Sequence, residues 1–359
     1  MSIPAPGAID CDVHAALPGT HVLLPYFDEY WREHVRMRGL ERDNYDLNAY
    51  PPGAEISARP DWRPAKGKPG ADRDKLVADV LDGFGARFAI LNVLHGAQAM
   101  FSEDLSAAFC TAINRWLAAE WLDRDPRLRA SIVVPGHSPE LAAKEIARCA
   151  EDRRFVQVLL LVMQELPLGR RQYWPLYRAA EERGLPVGIH AGSTMRHAPT
   201  SIGWPSYMLE DYVVQAGAFA AALNSLITEG VFVEFPRLRV VLAESGVTWL
   251  PAWMWRIDKT WRGVRAETPW VKEPPSVYAR RHVRLTLQPF DAPPTRAMLA
   301  RLIEEIGCDD MLLYSTDYPH WHFEGGEAVP DGLDPGLVRK ILIENPLATY
   351  TRLTEEHVR

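Results

Sequence analysis

The chain has 359 residues, of which 47% are hydrophobic, and its 40 basic and 47 acidic residues give a net charge of −7. This acidic balance gives no general electrostatic reason to bind nucleic acid, and no apolar run approaches the roughly 20 residues that a membrane-spanning helix needs. Four scattered cysteines without a CxxC pair, and an amino terminus without a signal-peptide pattern, favour a reduced cytoplasmic protein.

Apolar runs typical of β-strands alternate with helical patterns along almost the whole chain. The strands are predicted at approximately 8–13, 87–93, 130–135, 155–161, 186–190, 238–243, 282–288 and 311–316. The main helices between them are predicted at Asp104–Glu120, Pro139–Ala150, Trp174–Arg183, Asp211–Thr228, Pro251–Arg262 and Pro294–Ile306. Eight β units with intervening helices predict an α/β protein, a (β/α)8 barrel that forms one domain over residues 1–359. A doubly wound open sheet is the alternative, although no glycine-rich phosphate loop follows the first strand.

Two stretches are longer than ordinary connections. Residues 15–75 follow the first strand and contain a predicted helix at Leu24–Arg38, then a Pro/Gly-rich portion that begins at Tyr50-Pro51-Pro52-Gly53. Long insertions of this kind are usually lids or binding loops, so we expect a cap over the barrel mouth or a subunit contact. The second stretch, 191–209, is expected to be an active-site loop.

Acidic and histidine side chains stand at the ends of three predicted strands. Asp12 and His14 are two residues apart, and residues at this spacing in a strand point to the same face. His190 ends the fifth strand and Asp317 ends the last one. The carboxyl ends of parallel strands meet at one mouth of a barrel, where active sites lie. We therefore predict one metal site with Asp12, His14, His190 and Asp317 as ligands, and Asp10 as a supporting residue.

Further residues near these strand ends are candidates for proton transfer. Asp317 could bind the metal, accept a proton from metal-bound water, or do both. Glu244 follows the sixth strand and could carry protons, add a ligand or hold another ligand, although a salt bridge to an arginine such as Arg256 is the plain alternative. His320 and His322 directly follow Asp317 and are the best of the remaining histidines. The roles of four histidines stay open: His95, His137, His197 and His322.

Four segments, taken together and in this order, resemble the amidohydrolase-related family, which includes aminocarboxymuconate-semialdehyde decarboxylase. The segments are Asp10-Cys11-Asp12-Val13-His14, Val187-Gly188-Ile189-His190-Ala191-Gly192, Glu244-Ser245-Gly246-Val247-Thr248-Trp249-Leu250-Pro251 and Ser315-Thr316-Asp317-Tyr318-Pro319-His320. The resemblance implies a distorted (β/α)8 TIM barrel with one divalent ion, usually zinc and sometimes manganese. It places the metal ligands on Asp12, His14, His190 and Asp317, and it suggests a homodimer.

The sequence departs from the family pattern at two positions. The first metal position is often His or Glu in the family, whereas Asp12 has a shorter reach and makes the site harder. This is a change toward Mn²⁺ that does not decide the metal, so Zn²⁺ stays the expected ion and Mn²⁺ the alternative. Many family decarboxylases carry a histidine after the sixth strand, where this chain has Glu244. The second departure argues against a direct transfer of the decarboxylase mechanism.

Three functions follow from this site. The leading hypothesis is a metal-dependent hydrolase that acts on a small cyclic amide, lactone or aromatic-derived acid through a metal-activated water, with Asp317 as the proton acceptor and Glu244 or His320 as the proton donor. The first alternative is a non-oxidative decarboxylase of a hydroxylated aromatic or muconate-like acid. The second is a barrel that binds a partner without catalysis. Release of CO2 without consumption of water separates the first two, and the absence of a bound ion favours the third.

Overall fold

Eight parallel strands form one sheet in which spatial order follows chain order. The computed structural model describes residues 5–42, 58–321, 329 and 331–353. The strands are β1 (Ile9–Val13), β2 (Phe88–Leu91), β3 (Leu128–Val133), β4 (Phe155–Met163), β5 (Val187–Ser193), β6 (Val240–Ala243), β7 (Val283–Thr286) and β8 (Leu312–Leu313). The last strand returns to the first, because Cys11 N–H donates to the carbonyl of Tyr314 over 3.0 Å. The predicted (β/α)8 barrel is thus confirmed, and the doubly wound alternative is wrong.

Helices connect the strands around the outside of the barrel. They are α1 (Glu29–Arg38), α2 (Arg73–Leu76), α3 (Glu103–Leu117), α4 (Pro139–Cys149), α5 (Trp174–Glu182), α6 (Met208–Thr228), α7 (Val231–Glu234), α8 (Leu250–Val264), α9 (Pro275–His282), α10 (Arg296–Ile306), α11 (Pro335–Arg339) and α12 (Asn345–Thr349). Within the described ranges, none of these helices has both the length and the apolar character to cross a membrane. The helix predicted at Leu24–Arg38 starts later, because a 3-10 helix occupies Thr20–Tyr26.

The strands are buried along their length, as a sheet covered by helices requires. All nine residues of β4 and all six of β3 are buried. The fifth strand was predicted to end at His190, but β5 continues to Ser193 because three further small residues follow the histidine without a turn. His190 therefore lies inside a strand, where the two neighbouring strands fix the position of its backbone.

The described parts of the long insertion pack against two different places. Near its start, the ring of Phe27 contacts Phe109 of α3 with centroids 4.9 Å apart, on the flank of the barrel. Near its end, the ring of Trp62 lies 5.0 Å from that of Tyr318, in the loop that follows β8. Tyr50-Pro51-Pro52-Gly53, where the Pro/Gly-rich portion begins, lie outside the described residues, and the role of the insertion as a cap or subunit contact stays a prediction. All four cysteines are unpaired, as expected.

Candidate metal centre and active site

Six side chains from four strands and their following loops meet at the carboxyl-terminal mouth of the barrel. They are Asp12, His14, His190, Glu244, Asp317 and His320. Their potential ligand atoms form two overlapping groups, and within each group all the atoms lie within 4.8 Å of one another. His14 and Glu244 belong to both groups. The structure therefore brings together the predicted ligands Asp12, His14, His190 and Asp317 with Glu244 and His320, although the sequence did not place Glu244 among the principal ligands.

The two imidazoles deepest in this cluster face its carboxylates. The Nε2 atom of His14 lies 3.1 Å from Asp317 Oδ1, 3.3 Å from Glu244 Oε1 and 3.6 Å from Asp12 Oδ1. The Nε2 atom of His190 lies 3.3 Å from Glu244 Oε1 and 3.6 Å from Asp12 Oδ2. These distances place nitrogen and oxygen donors around one small volume, as a single divalent cation requires.

The other ring nitrogen fixes how each imidazole is oriented. His14 Nδ1 lies 3.1 Å from the carbonyl of Asn92, and His190 Nδ1 lies 2.8 Å from the carbonyl of Ala191. A carbonyl only accepts, so Nδ1–H donates in both cases, and Nε2 of each ring faces the carboxylates, where a bound cation would take the place of its proton. This is the orientation that metal-binding histidines usually adopt.

Three buried atoms in the cluster make no hydrogen bond within the part of the chain that the structure describes: Asp12 Oδ2, His190 Nε2 and Glu244 Oε1. Each unsatisfied buried polar atom costs roughly 1–3 kcal/mol, and more when it is charged. One divalent cation would satisfy all three atoms together. The donor set therefore fits one divalent ion.

The buried carboxylates of the cluster need positive charge beside them. Burial opposes the ionisation of Glu244, but the positive charge of His190 and the contacts with the imidazoles of His14, His190 and His320 together hold the carboxyl pKa well below its usual value. Burial likewise opposes protonation of His320, but Asp317 and Glu244 together raise the imidazole pKa to about 10. Without a metal, protonated imidazoles thus balance buried carboxylates. A bound cation would supply that positive charge instead.

Two of the site carboxylates occupy an unusual backbone conformation. Glu244 and Asp317 each have φ of 57°, and only Met195 shares a positive φ among the described non-glycine residues. This left-handed region costs roughly 1–3 kcal/mol for such residues. Asp317 is held there by its N–H, which donates to the carbonyl of Asp12 over 3.0 Å. The strain is concentrated at the two loops that carry the site.

Asp10 lies beside the cluster and ties β1 to the loop after β8. Its carboxylate accepts from the backbone N–H of Thr316 over 3.0 Å and from the Thr316 hydroxyl over 2.7 Å. Burial raises the pKa of Asp10 to about 7, and the nearby charge of Asp12 adds to this, whereas the bonds from Thr316 oppose it. Asp10 therefore occupies the supporting position that the sequence suggested.

Sequence reasoning missed Asn92. Its side-chain amide donates to Asp12 Oδ1 over 2.7 Å, while its carbonyl accepts from His14. In the sequence, Asn92 is a polar residue directly after the apolar run Phe88–Leu91. Many strands end in this way, so the pattern did not distinguish Asn92 from an ordinary strand end.

Three of the histidines whose roles were open do not join the cluster. His197 Nε2 contacts the carbonyl of Gln164 over 2.8 Å, which fixes the loop after β5. His95 accepts from the backbone N–H of Ala97, and burial lowers its pKa to about 3. His137 lies in the loop after β3, and His322 falls outside the described residues.

A cavity of about 340 Å³ opens directly onto the cluster. Glu244 and His320 form part of its wall, and Asp211 and Asp291 are its other charged residues. A larger cavity of about 1110 Å³ lies between the loop after β4 and α6, but none of the six cluster residues lines it. Chemistry at the cluster is therefore accessible from the smaller cavity.

The sequence matches a known protein family and several characterised enzymes. The family model described as amidohydrolase matches residues 9–352. The gamma-resorcylate decarboxylase of Rhizobium sp. (strain MTP-10005) is 28% identical over 253 residues, which are 67% of this chain and 75% of the relative.

Two solved structures share the fold over nearly their whole length. A dihydroxybenzoic acid decarboxylase from Polaromonas sp. JS666, with bound manganese and the inhibitor 2-nitroresorcinol, has a TM-score of 0.68 at 20% identity, and the match covers 98% of this chain and 99% of that one. A 5-carboxyvanillate decarboxylase from Sphingomonas paucimobilis also has a TM-score of 0.68, at 21% identity, with coverage of 98% and 99%.

These comparisons confirm the prediction of an enzyme but overturn the hydrolase hypothesis, because the similar proteins are decarboxylases. They agree with the alternative hypothesis instead. The sequence could not separate the two, since a set of carboxylates and imidazoles around one divalent ion suits both reactions. Glu244 in place of a histidine after the sixth strand made decarboxylation the less favoured hypothesis. The structure shows that another histidine, His320, lines the same cavity as Glu244.

Proposed function

We propose that this chain, which belongs to the amidohydrolase family, is a metal-dependent, non-oxidative decarboxylase of a hydroxylated aromatic acid. The observation that carries the proposal is the buried donor cluster that opens onto a cavity of about 340 Å³, a size suited to one substituted aromatic ring. The similarity to decarboxylases of dihydroxylated aromatic acids supports the substrate class.

Asp12, His14, His190 and Asp317 would hold the divalent ion, with Glu244 as an additional ligand or a close partner of the ligands. When bound, the ion would attract the carboxylate and the adjacent hydroxyl of the substrate and stabilise negative charge on their oxygens. We favour manganese over the zinc suggested by resemblance, because the cluster contains three carboxylates, which are hard ligands. The manganese in the structure from Polaromonas agrees with this choice.

The pair formed by Asp317 and His320 would move the proton. His320 Nδ1 lies 2.7 Å from Asp317 Oδ1, and His320 reaches the cavity whereas Asp317 is fully buried. The bond between the ring and the carboxylate breaks, CO2 leaves, and the ring carbon takes one proton from the pair. Solvent that enters through the cavity restores that proton. No water is consumed in the overall reaction.

The test of this function is a panel of acids offered to the metal-loaded protein. Hydroxylated benzoates should release one CO2 for each acid consumed, whereas cyclic amides and lactones should remain intact. Product analysis by mass spectrometry and CO2 detection measure both results. Turnover of an amide or lactone without CO2 release from any acid would contradict the proposal.

The charge of the cavity predicts a preference for acids with one carboxylate. Among the described residues that line it, the charged side chains besides His320 are acidic, and there is no lysine or arginine. A second ring carboxylate would lie near Asp211 or Asp291 without a counter-charge, so we expect kcat/KM to fall roughly tenfold or more, which corresponds to about 1.4 kcal/mol. Steady-state kinetics on a monocarboxylate and a dicarboxylate with the same ring hydroxyls measure this ratio.

Replacing Asp211 with asparagine should reduce that discrimination, because it removes one repelling charge from the cavity wall. Glu210→Gln is the matched control, since Glu210 is the neighbouring residue of α6 but does not line this cavity. If the unmodified protein turns over the dicarboxylate as fast as the monocarboxylate or faster, the acidic side chains of the cavity do not select against a second carboxylate.

We further propose that the homodimer suggested by resemblance forms through α6 and the loop before it. Ile202 is 96% exposed, and Leu209 and Val213, four residues apart on one helix face, are 76% and 68% exposed. From Tyr212 to Thr228 the helix contains no charged residue. An uncharged apolar surface can meet its own copy across a two-fold axis without repulsion. The cytoplasmic location stays a prediction.

Light scattering of the purified protein tests the dimer. The unmodified chain should show twice the monomer mass of 40.5 kDa, and Leu209→Lys should shift it toward one chain by placing a charge in the apolar contact. Met37→Lys, a change at another exposed apolar residue on α1, should leave the mass unchanged. A monomeric unmodified protein, or a Leu209→Lys variant that stays dimeric, would rule out this interface.

A further inference from the structure

We propose that Asn92, Ser131, Gln157 and Tyr350 form a hydrogen-bond relay that positions the Asp12 carboxylate for metal binding. The relay would hold the short Asp12 side chain in one orientation at the cluster. This inference rests on the metal site of the proposed function, but it concerns residues that do not contact the substrate.

The relay crosses the inside of the barrel from the carboxyl-terminal part of the chain to β1. The Tyr350 hydroxyl donates to Gln157 Oε1 over 3.0 Å, and Gln157 Nε2 donates to the Ser131 hydroxyl over 2.9 Å. The Ser131 hydroxyl donates to Asn92 Oδ1 over 2.6 Å, and Asn92 Nδ2 donates to Asp12 Oδ1 over 2.7 Å. The four relay residues come from β4, β3, the end of β2 and the residue after α12.

Every hydrogen bond in the relay runs in the same direction, toward Asp12. A chain of donors that points one way polarises each successive bond, and it ends on a carboxylate oxygen of Asp12, which accepts. The Asn92 amide occupies Oδ1 of Asp12. The other oxygen, Oδ2, is buried and makes no hydrogen bond in the described residues, so it is the atom left for the ion.

The barrel interior is built to hold the relay in place. Asn92, Ser131, Gln157 and Tyr350 are all essentially inaccessible to solvent. Gly188 of β5 lies against Gln157, and a side-chain carbon there would come within 2.4 Å of Gln157 Nε2. A glycine at position 188 thus leaves the space that Gln157 needs. Four buried polar groups that satisfy one another form a rigid network, whereas a partly satisfied one would be costly.

Asp12 has a short side chain, so the orientation of its carboxylate decides which atoms it can approach. Asp12 Oδ2 lies 3.6 Å from His190 Nε2 and Asp12 Oδ1 lies 3.6 Å from His14 Nε2, so the carboxylate plane must keep one orientation to face both imidazoles. Rotation of the carboxylate about the side-chain bonds of Asp12 would move one of its oxygens away from His14 or His190. Outer partners that orient a ligand typically change metal affinity by roughly 10–100-fold when removed.

Metal affinity of the purified protein, freed of metal by chelation, tests the relay. Titration with Mn²⁺ followed by electron paramagnetic resonance gives the Kd without any turnover. Asn92→Leu should raise the Kd by roughly 10–100-fold, and Tyr350→Phe should raise it by a smaller factor because it removes only the far end. Tyr314→Phe is the matched control, since Tyr314 is equally buried but its hydroxyl makes no hydrogen bond among the described residues.

Thermal unfolding of the metal-free variants separates positioning from general stability. A merely structural Tyr350 would lower the midpoint and leave the Kd of the folded protein unchanged, and that result would overturn the inference. Ser131→Ala provides the same comparison if Asn92→Leu does not fold. If the unmodified protein binds no divalent ion, the proposed metal site itself fails; if it binds Mn²⁺ and Asn92→Leu or Ser131→Ala binds it equally well, only the relay fails.

Discussion

Replacement of Asp317 with asparagine is expected to lower CO2 release by about 10²–10⁴-fold, the range that one positioned proton-transfer group contributes. Asparagine has nearly the same size and can still contact His14 and His320, but it cannot exchange a proton. The carboxylate is fully buried and lies 2.7 Å from His320 Nδ1, which is closer than Glu244 Oε1 at 3.5 Å. Single-turnover measurement of CO2 gives the rate of the chemical step.

The metal content of the same variant tells the two roles of Asp317 apart. Retained metal with lost turnover would assign Asp317 to proton transfer, whereas loss of both would assign it mainly to metal binding. Asp310→Asn is the control, because Asp310 is exposed and lies before β8, at the opposite end of the strand. Full activity of Asp317→Asn would remove this residue from the mechanism.

Removal of the divalent ion is expected to abolish turnover, and Mn²⁺ should restore it. The reason is the buried negative charge of Asp12, Glu244 and Asp317, which needs a cation before a negatively charged substrate can enter. His190→Asn should weaken Mn²⁺ binding by more than the roughly 10–100-fold expected for outer partners, because its Nε2 points directly into the cluster. Activity after chelation, with and without added Mn²⁺, measures the first effect.

His282→Asn is a matched control for His190→Asn. His282 is also a buried histidine, but it lies at the amino-terminal side of β7, where its Nδ1 contacts the carbonyl of Leu238 over 2.9 Å. Its replacement should leave the Mn²⁺ affinity of the folded protein unchanged. Turnover that persists at the full rate in metal-free protein would contradict the account of the site.

Most of the barrel could be predicted from the sequence because its strands are continuous apolar runs. β4 is the clearest case, since nine consecutive buried residues admit few other interpretations. The end of β5 was missed because Ala191, Gly192 and Ser193 carry no strong preference for a strand. β8 has only Leu312–Leu313, whereas the predicted strand at 311–316 also includes the apolar Met311 and Tyr314 and the polar Ser315 and Thr316, which lie outside the paired residues.

The site was predictable where ligands follow strands, as at His14 and Asp317. The relay was not, because Ser131, Gln157 and Tyr350 are far apart in sequence and each is an ordinary polar residue until the barrel closes. The reaction was misjudged for a related reason. The identities of Glu244 and His320 indicate that the site can bind a metal or transfer protons, but they do not indicate which bond of the substrate breaks.

Reaction of the Mn²⁺-loaded protein with a hydroxylated benzoate in D2O distinguishes decarboxylation from hydrolysis. Decarboxylation predicts one CO2 per acid consumed and one deuterium on the ring carbon that carried the carboxylate. The label arises because the pair of Asp317 and His320 exchanges its proton with solvent before transfer. If every acid is returned intact, or if a product gains the elements of water without CO2 release, the decarboxylase assignment is contradicted.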